Sequence, residues 1–287
     1  MCTEKYVSPF TDFGFKLLFG TPANKEFLMA FLNSILDCKS PIEDISYDNT
    51  EVFGKTLDDR RAVYDLYCRT EDGSHIIVEM QNAYQRYFLD RTIYYSTFPI
   101  QAAARKGEWN YRLPPVYTVA FLNFSMDDYL GNPDYKHVCR LTDLDSHRVI
   151  YDKLTYIYLE MPKFNKDIDD LHGYADQWMY IIKNLEKLNE KPARFREKVY
   201  ERFFRAAEIA RFSLEQRTAY ETSLKIMRDY NNTISSAEYK GYSAGKEEGM
   251  EEGSKMKAIE IARNLKRLGI PTDEIARATG LPESEII

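Results

Sequence analysis

Nothing in this chain reads as a membrane span, a disulfide framework or a zinc site. No apolar run approaches the ~18 residues that a bilayer crossing needs, and the opening MCTEKYVSPFTDFG has no apolar h-region of a secretion signal. The 4 cysteines (Cys2, Cys38, Cys68, Cys139) are scattered and form no CxxC pair. That argues against paired thiolates on zinc and predicts a reducing compartment, hence a cytoplasmic protein. His75, His137, His147 and His172 show no ligand spacing, and G-x-S-x-G, phosphate-loop and dinucleotide-binding fingerprints are missing. A basic excess is missing too. The net charge is −6, and the densest basic stretch, residues 191–217, interleaves Glu197, Glu201, Glu208 and Glu215. Such a stretch reads as a mixed-charge solvated helix face. Proteins that track phosphates carry basic charge somewhere, so this balance leaves room for a local DNA groove and no more.

What is present is a globular chain of 287 residues, 44% hydrophobic, with 22 Tyr and 16 Phe, enough for one large domain or one domain with a smaller appendage. TDFGFKLLFG places Phe15, Leu18 and Phe19 on one side of a short helical turn that stops at Gly20. PANKEFLMAFLNSILD, opened by Pro22, has Phe27, Leu28, Phe31, Leu32 and Ile35 at helical spacing. Residues 42–53 read as a strand running into a loop, and residues 86–106 as a long helix ending at Gly107. PVYTVAFLNF is the continuous apolar run of a strand buried on both faces. HVCRL and YIYLEM suggest another pair of strands, and from Asp167 onward the chain reads as helix.

In the tail, Gly241, Gly245, Gly249 and Gly253 recur every four residues in a charged tract. That period drifts around a 3.6-residue helix, so a marginal, partly frayed helix is expected there. KAIEIARNLKRLG and TDEIARATG form a helix pair, with Thr272 as N-cap and Gly280 as C-cap. The pair resembles the front of a helix-turn-helix, but LPESEII leaves no room for a recognition helix.

The informative stretch is VYDLYCRTEDGSHIIVEMQ, residues 63–81: two strand-like runs around a turn, with acids where strands are poor in them. A two-residue turn at Asp72-Gly73 would pair residues summing to 145, and a three-residue loop closed by Gly73 would pair residues summing to 144. A one-residue slip turns every side chain to the other face, so the apolar pattern selects between them. The second register puts Tyr64, Leu66 and Cys68 on one apolar side with Ile76, Val78 and Met80, and sets Asp65 directly opposite Glu79. Opposed Cβ atoms are ~5 Å apart. Two carboxylates at that spacing need a cation between them or a shared proton. With Gln81 on the same face and Val63 and Ile77 beside them, the group suits a hard, oxygen-seeking ion such as Mg²⁺. The bland alternative is a solvated sheet face carrying two acids.

TDFGFKLLFG, LDDRRAVYDLYCRTEDGSHIIVEMQ and RTIYYS, taken in order, resemble the PD-(D/E)XK nuclease core, and within it the recombination-promoting (Rpn-like) nucleases and related transposases. The glycine-spaced tail and the terminal IAR…GIPTDEIARATGL fit the same family. The resemblance implies an α/β fold: an αβββαβ core with a mixed sheet flanked by helices, followed by a helical C-terminal extension. It divides the chain into a nuclease-like core at residues 1–165, a helical extension at 166–238, a spacer at 239–256 and a helix pair at 257–287.

Carried over, Asp65 and Glu79 become metal carboxylates and the Met80 carbonyl a backbone ligand. Gln81 stands where most of the superfamily has Lys, so metal or Arg91 has to supply the positive charge. Arg91 and Tyr95 lie one helical turn apart and can lean toward one site, or else Tyr95 packs in the core and Arg91 snorkels. Asp12 and Lys16, also one turn apart, read as an intrahelical salt bridge. The implied activity is metal-dependent cleavage of DNA with Mg²⁺, or Mn²⁺ in its place. The alternative is a non-catalytic binding or regulatory module on the same fold. Apolar sides at Ile259, Ile261, Ala262, Leu265 and Leu268, and at Ile275, Ala276 and Leu281, are too small to stand alone in water. They predict either docking onto the core or a homo-oligomer held through residues after Lys257.

Overall fold

The computed structural model describes residues 4–36, 41–52, 62–103, 110–126 and 133–286. The chain divides into two compact units, Met1–Lys225 and Ile226–Ile287. The strands are β1 (Ile45–Tyr47), β2 (Glu51–Val52), β3 (Ala62–Val63), β4 (Leu66–Thr70), β5 (His75–Gln81), β6 (Val116–Leu122), β7 (Lys136–Thr142) and β8 (Val149–Glu160). Six of them form a mixed sheet in the order β1-β4-β5-β6-β8-β7, and β2 and β3 make a separate ribbon. β5, β6 and β8 are parallel, while the remaining neighbours are antiparallel. β6 is buried along nearly its whole length, as its apolar run predicts.

The helices are α1 (Asp12–Phe19), α2 (Lys25–Ile35), α3 (Phe88–Ala103), α4 (Gly173–Asn184), α5 (Lys198–Ala207), α6 (Leu214–Arg267) and α7 (Thr272–Thr279). On one sheet face Phe121 meets Phe15 and Phe19 of α1 and Phe31 of α2, with Trp178 of α4 and Phe203 of α5 packed against Phe19. The opposite face is covered by α3. Its Thr92 and Ser96 hydroxyls lie 2.8 and 2.7 Å from the hydroxyls of Tyr158 and Tyr156. The sheet is therefore flanked by helices on both sides.

Local chemistry explains the α1 hairpin. Thr11 is the N-cap, its Oγ1 accepting the Gly14 N–H at 2.9 Å. A Cβ on Gly14 would stand 2.0 Å from the Ser8 carbonyl oxygen, so the incoming chain can fold back onto the helix only over a glycine. Pro22 opens a 3-10 turn, Pro22–Asn24, and α2 follows it instead of starting at the proline. The long helix expected at 86–106 is α3; its expected end at Gly107 lies outside the described residues, as do Cys2 and Cys38.

The second unit departs from expectation in two places. α6 runs unbroken through 239–256, where fraying was expected. The four spaced glycines lie in open space, and the Lys, Glu and Met residues between them are strong helix formers. The N-cap of α7 is Pro271, with Thr272 as the first helical residue. The extended Pro271 carbonyl accepts from both Glu274 and Ile275 N–H at 3.1 Å, opening the helix without a side-chain cap. Gly280 is the C-cap, at φ 71. Ala262, Ile275, Leu281 and Ile286 bury one another with Ile259, Leu265 and Ala276 packed against them, while Ile261 and Leu268 stay exposed. Among the described residues no further α-helix follows α7.

Candidate functional site

The β4–β5 hairpin has the register that sums to 144: Leu66 faces Val78, Tyr67 faces Ile77 and Cys68 faces Ile76. Gly73 has φ +81, and its N–H donates to the Thr70 carbonyl while Thr70 N–H donates to Ser74. This is the three-residue loop that demands a left-handed residue. Leu66, Cys68, Ile76 and Val78 are buried.

One part of the facing pattern is corrected. Tyr64 does not join that side; it clusters with Tyr67 and Ile77, against Tyr95 and Phe98. The chain bends at Asp65, just before β4 begins, and the bend breaks the alternation. Asp65 Oδ2 accepts the Met80 N–H at 2.6 Å, taking the place of a ladder partner.

Glu79 follows from the same geometry. It lies on the face that α3 covers and is only 3% exposed, so the solvated-face alternative fails. Its Oε1 is buried with no hydrogen-bond partner among the described residues. Burial first, and then the Asp65 charge, push the Glu79 carboxyl up to about 8, against the pull of Arg91 and a backbone hydrogen bond from Asp65. Asp65 is raised as well, chiefly by burial and partly offset by the Met80 N–H; Asp12 adds to the rise, and Lys16 and Arg91 oppose it.

α3 brings up Arg91 and Tyr95. The Arg91 guanidinium lies over the rings of Phe88 and Tyr95, 5.3 and 5.8 Å from their centroids. Its Nη1 donates to Gln85, while Nε and Nη2 are buried without a partner among the described residues. Tyr95 packs edge-on against Tyr64 at 5.4 Å, its carbonyl accepts the Tyr64 hydroxyl, and its own hydroxyl takes a backbone hydrogen bond from Val63. Burial, then Glu79, raise that phenol. Gln81 ends β5, its carbonyl accepting Asn123 N–H at 2.8 Å, and by alternation its side chain shares the face of Glu79. A strand residue's N–H and C=O point to the same edge, so the Met80 carbonyl faces the side of Asp65.

Among the described residues no three His, Cys, Asp or Glu side chains form a metal cage. The donor set is two carboxylates, one with an orphaned buried oxygen, plus a backbone carbonyl. All three are oxygens, and together they fit a hard divalent cation completed by water. Three residues escaped the sequence reading. Gln85 holds Arg91, Asn123 closes the end of β5, and Asn82 donates to the Phe10 carbonyl at 2.7 Å. None had a sequence signal: Gln85 lies outside α3, and six residues before Arg91 is not a spacing that helical periodicity brings together.

A family model described as PD-(D/E)XK nuclease family transposase matches residues 9–237, most of the chain. No match was found among curated proteins or solved structures.

Proposed function

The chain belongs to the PD-(D/E)XK nuclease family of transposases, and on that footing we propose that it is a metal-dependent endonuclease hydrolysing DNA phosphodiesters in the service of a mobile element or of recombination. The observation that carries this reading is the buried Glu79 carboxyl, with an unpartnered oxygen and a raised pKa, placed against Asp65. Asp65, Glu79 and the Met80 carbonyl would hold Mg²⁺, with Mn²⁺ able to replace it. When bound, the ion makes water a stronger nucleophile at neutral pH and offsets charge on the phosphodiester. The chain's own groups set the stage for that chemistry. Arg91, fixed between two rings, keeps a positive charge beside both carboxylates. The Gln81 amide orients a water by accepting or donating a hydrogen bond but brings no charge. Tyr95 ties α3 to the bend at Asp65.

A second reading, a non-catalytic DNA- or protein-binding regulatory module, is favoured by Gln81 in the lysine position and by the net charge of −6. Calorimetry with Mn²⁺ separates the two. The nuclease reading expects binding that disappears in Asp65→Ala; a chain that takes up no divalent ion at millimolar concentration is the binding module.

The working protein on this reading acts in the cytoplasm as a homodimer or higher oligomer held partly by residues after Lys257. One metal site per chain serves one strand at a time, and the exposed Ile261 and Leu268 remain free for a partner.

A further inference from the structure

Gln81 is neutral, so any positive charge that the protein itself adds to that of a bound metal comes from elsewhere in the fold. Two cations act on Asp65: Arg91 and Lys16. Arg91 is fixed in place beside the acids: Gln85 holds its Nη1, its guanidinium lies over two aromatic rings, and its remaining nitrogens are buried. Lys16 is placed differently. It stands on α1, a helix pinned at both ends to the strands that bear the acids. In front, Asn82, the residue after Gln81, donates to the Phe10 carbonyl at 2.7 Å. Behind, Gly20 lies so close to β4 that an added Cβ would be 2.7 Å from Leu66 Cδ2, and Leu66 directly follows Asp65. Between these ends, Phe15 and Phe19 seat the helix on Phe121. Asp12 and Lys16 occupy the opposite, exposed side, with Nζ 2.7 Å from Oδ1 and side-chain exposures of 52% for Lys16 and 67% for Asp12. An ion pair that exposed contributes little to stability, about 0–1 kcal/mol. It leaves the ammonium on the side of Asp65, whose charged form it favours, in a contact weak enough to exchange.

We propose that Lys16 is a phosphate-binding residue of the site: when DNA binds, its ammonium leaves Asp12 for a non-bridging oxygen of the scissile phosphodiester and supplies the charge that Gln81 lacks. The inference rests on the nuclease reading above. Asp12 is the resting counter-ion, and its exposure lets the exchange occur without burying an unpaired charge.

The test uses the full-length chain with Lys16→Ala, Lys16→Met, which keeps most of the apolar stem, and Lys16→Arg. Nicking of supercoiled plasmid is measured under single-turnover conditions, Mn²⁺ affinity by calorimetry, and binding of a fluorescein-labelled duplex against salt in a Glu79→Gln background. Removing the ammonium is expected to slow nicking roughly a hundredfold with Mn²⁺ affinity and melting temperature unchanged, and Arg is expected to restore most of the rate. The slope of log affinity against log salt should fall by about one phosphate's worth. Wild-type nicking by Lys16→Met together with an unchanged slope would overturn the inference and leave only an intrahelical salt bridge. If the wild type binds duplex but never nicks, the nuclease reading falls by itself, and the slope alone decides Lys16: a reduced slope keeps the phosphate contact, an unchanged one removes it.

Discussion

The carboxylate of Asp65 accepts the backbone N–H of Met80 at 2.6 Å, one residue beyond Glu79. A side chain thus completes the ladder where the backbone has bent away, and the same hydrogen bond holds the two carboxyl groups close together. Asp65→Asn keeps an acceptor there and loses the charge, whereas Asp65→Ala leaves the N–H without its partner. Leaving such a group unpaired costs about 1–3 kcal/mol, and about 2–4 °C of melting temperature accompanies each kcal/mol in a chain of this size. We expect Asp65→Asn to melt within about 2 °C of wild type and Asp65→Ala several degrees lower, with Mn²⁺ binding lost in both. Thermal melts and calorimetry on the pair check this; equal melting of the two variants would deny the structural half of the role.

Glu79 makes stability depend on pH in the metal-free protein. Its carboxyl holds a proton up to about 8 in the fold, whereas in an unfolded chain it releases it near ~4.3. Between those values the native state binds one more proton than the unfolded state. Stability therefore falls as pH rises through this window, by at most about 1.4 kcal/mol per pH unit, and levels off above it. Glu79→Gln removes this dependence. Melting in chelator across pH 5 to 8.5 should show the variant gaining on wild type as pH rises, and parallel curves would contradict the assignment.

Two glycines carry different loads. Gly73 has open space around it but sits at φ +81, so Gly73→Ala should cost about 1–2 kcal/mol of backbone strain. Gly14 has no such φ, but its added Cβ would meet the Ser8 carbonyl oxygen at 2.0 Å. Gly14→Ala must push the N-terminal loop off α1 and should cost more, roughly 3 kcal/mol. Denaturant melts of the two variants rank them; a milder Gly14→Ala would mean that the loop is not held there.

Much of this fold was legible because local patterns and tertiary packing agree. The apolar run at 115–124 became β6, and Gly73 with the Leu66, Cys68, Ile76 and Val78 pattern selected the hairpin register that places Asp65 near Glu79. The side of Tyr64 was misread because alternation assumes an unbroken strand, and the chain bends at Asp65, whose side chain takes the Met80 N–H. Thr272 was misread by one position because Pro271, extended at ψ 145, already stands at the boundary and leaves Thr272 as the first helical residue. The seating of α1 rests on Asn82 with Phe10 and on Gly20 with Leu66, contacts between residues far apart in the chain that no periodicity announces.

The C-terminal pair offers a test of assembly. Ala262, Ile275 and Leu281 are already buried within their own unit, so an interface would have to use exposed positions such as Ile261 and Leu268. Light scattering should give a dimer or larger species for the full chain and a smaller one for a chain ending near Tyr239, with Leu268→Asp shifting the full chain the same way. An unchanged state after truncation, or a monomeric full chain at tens of micromolar, contradicts it.

The most direct measurement is nicking of supercoiled plasmid by the purified full-length chain with Mg²⁺ or Mn²⁺, beside Asp65→Ala and Glu79→Gln prepared identically. The account predicts relaxed and linear DNA from the wild type, abolished by chelator and reduced at least a hundredfold in both variants. No nicking by the wild type, or equal nicking by Asp65→Ala, would contradict it.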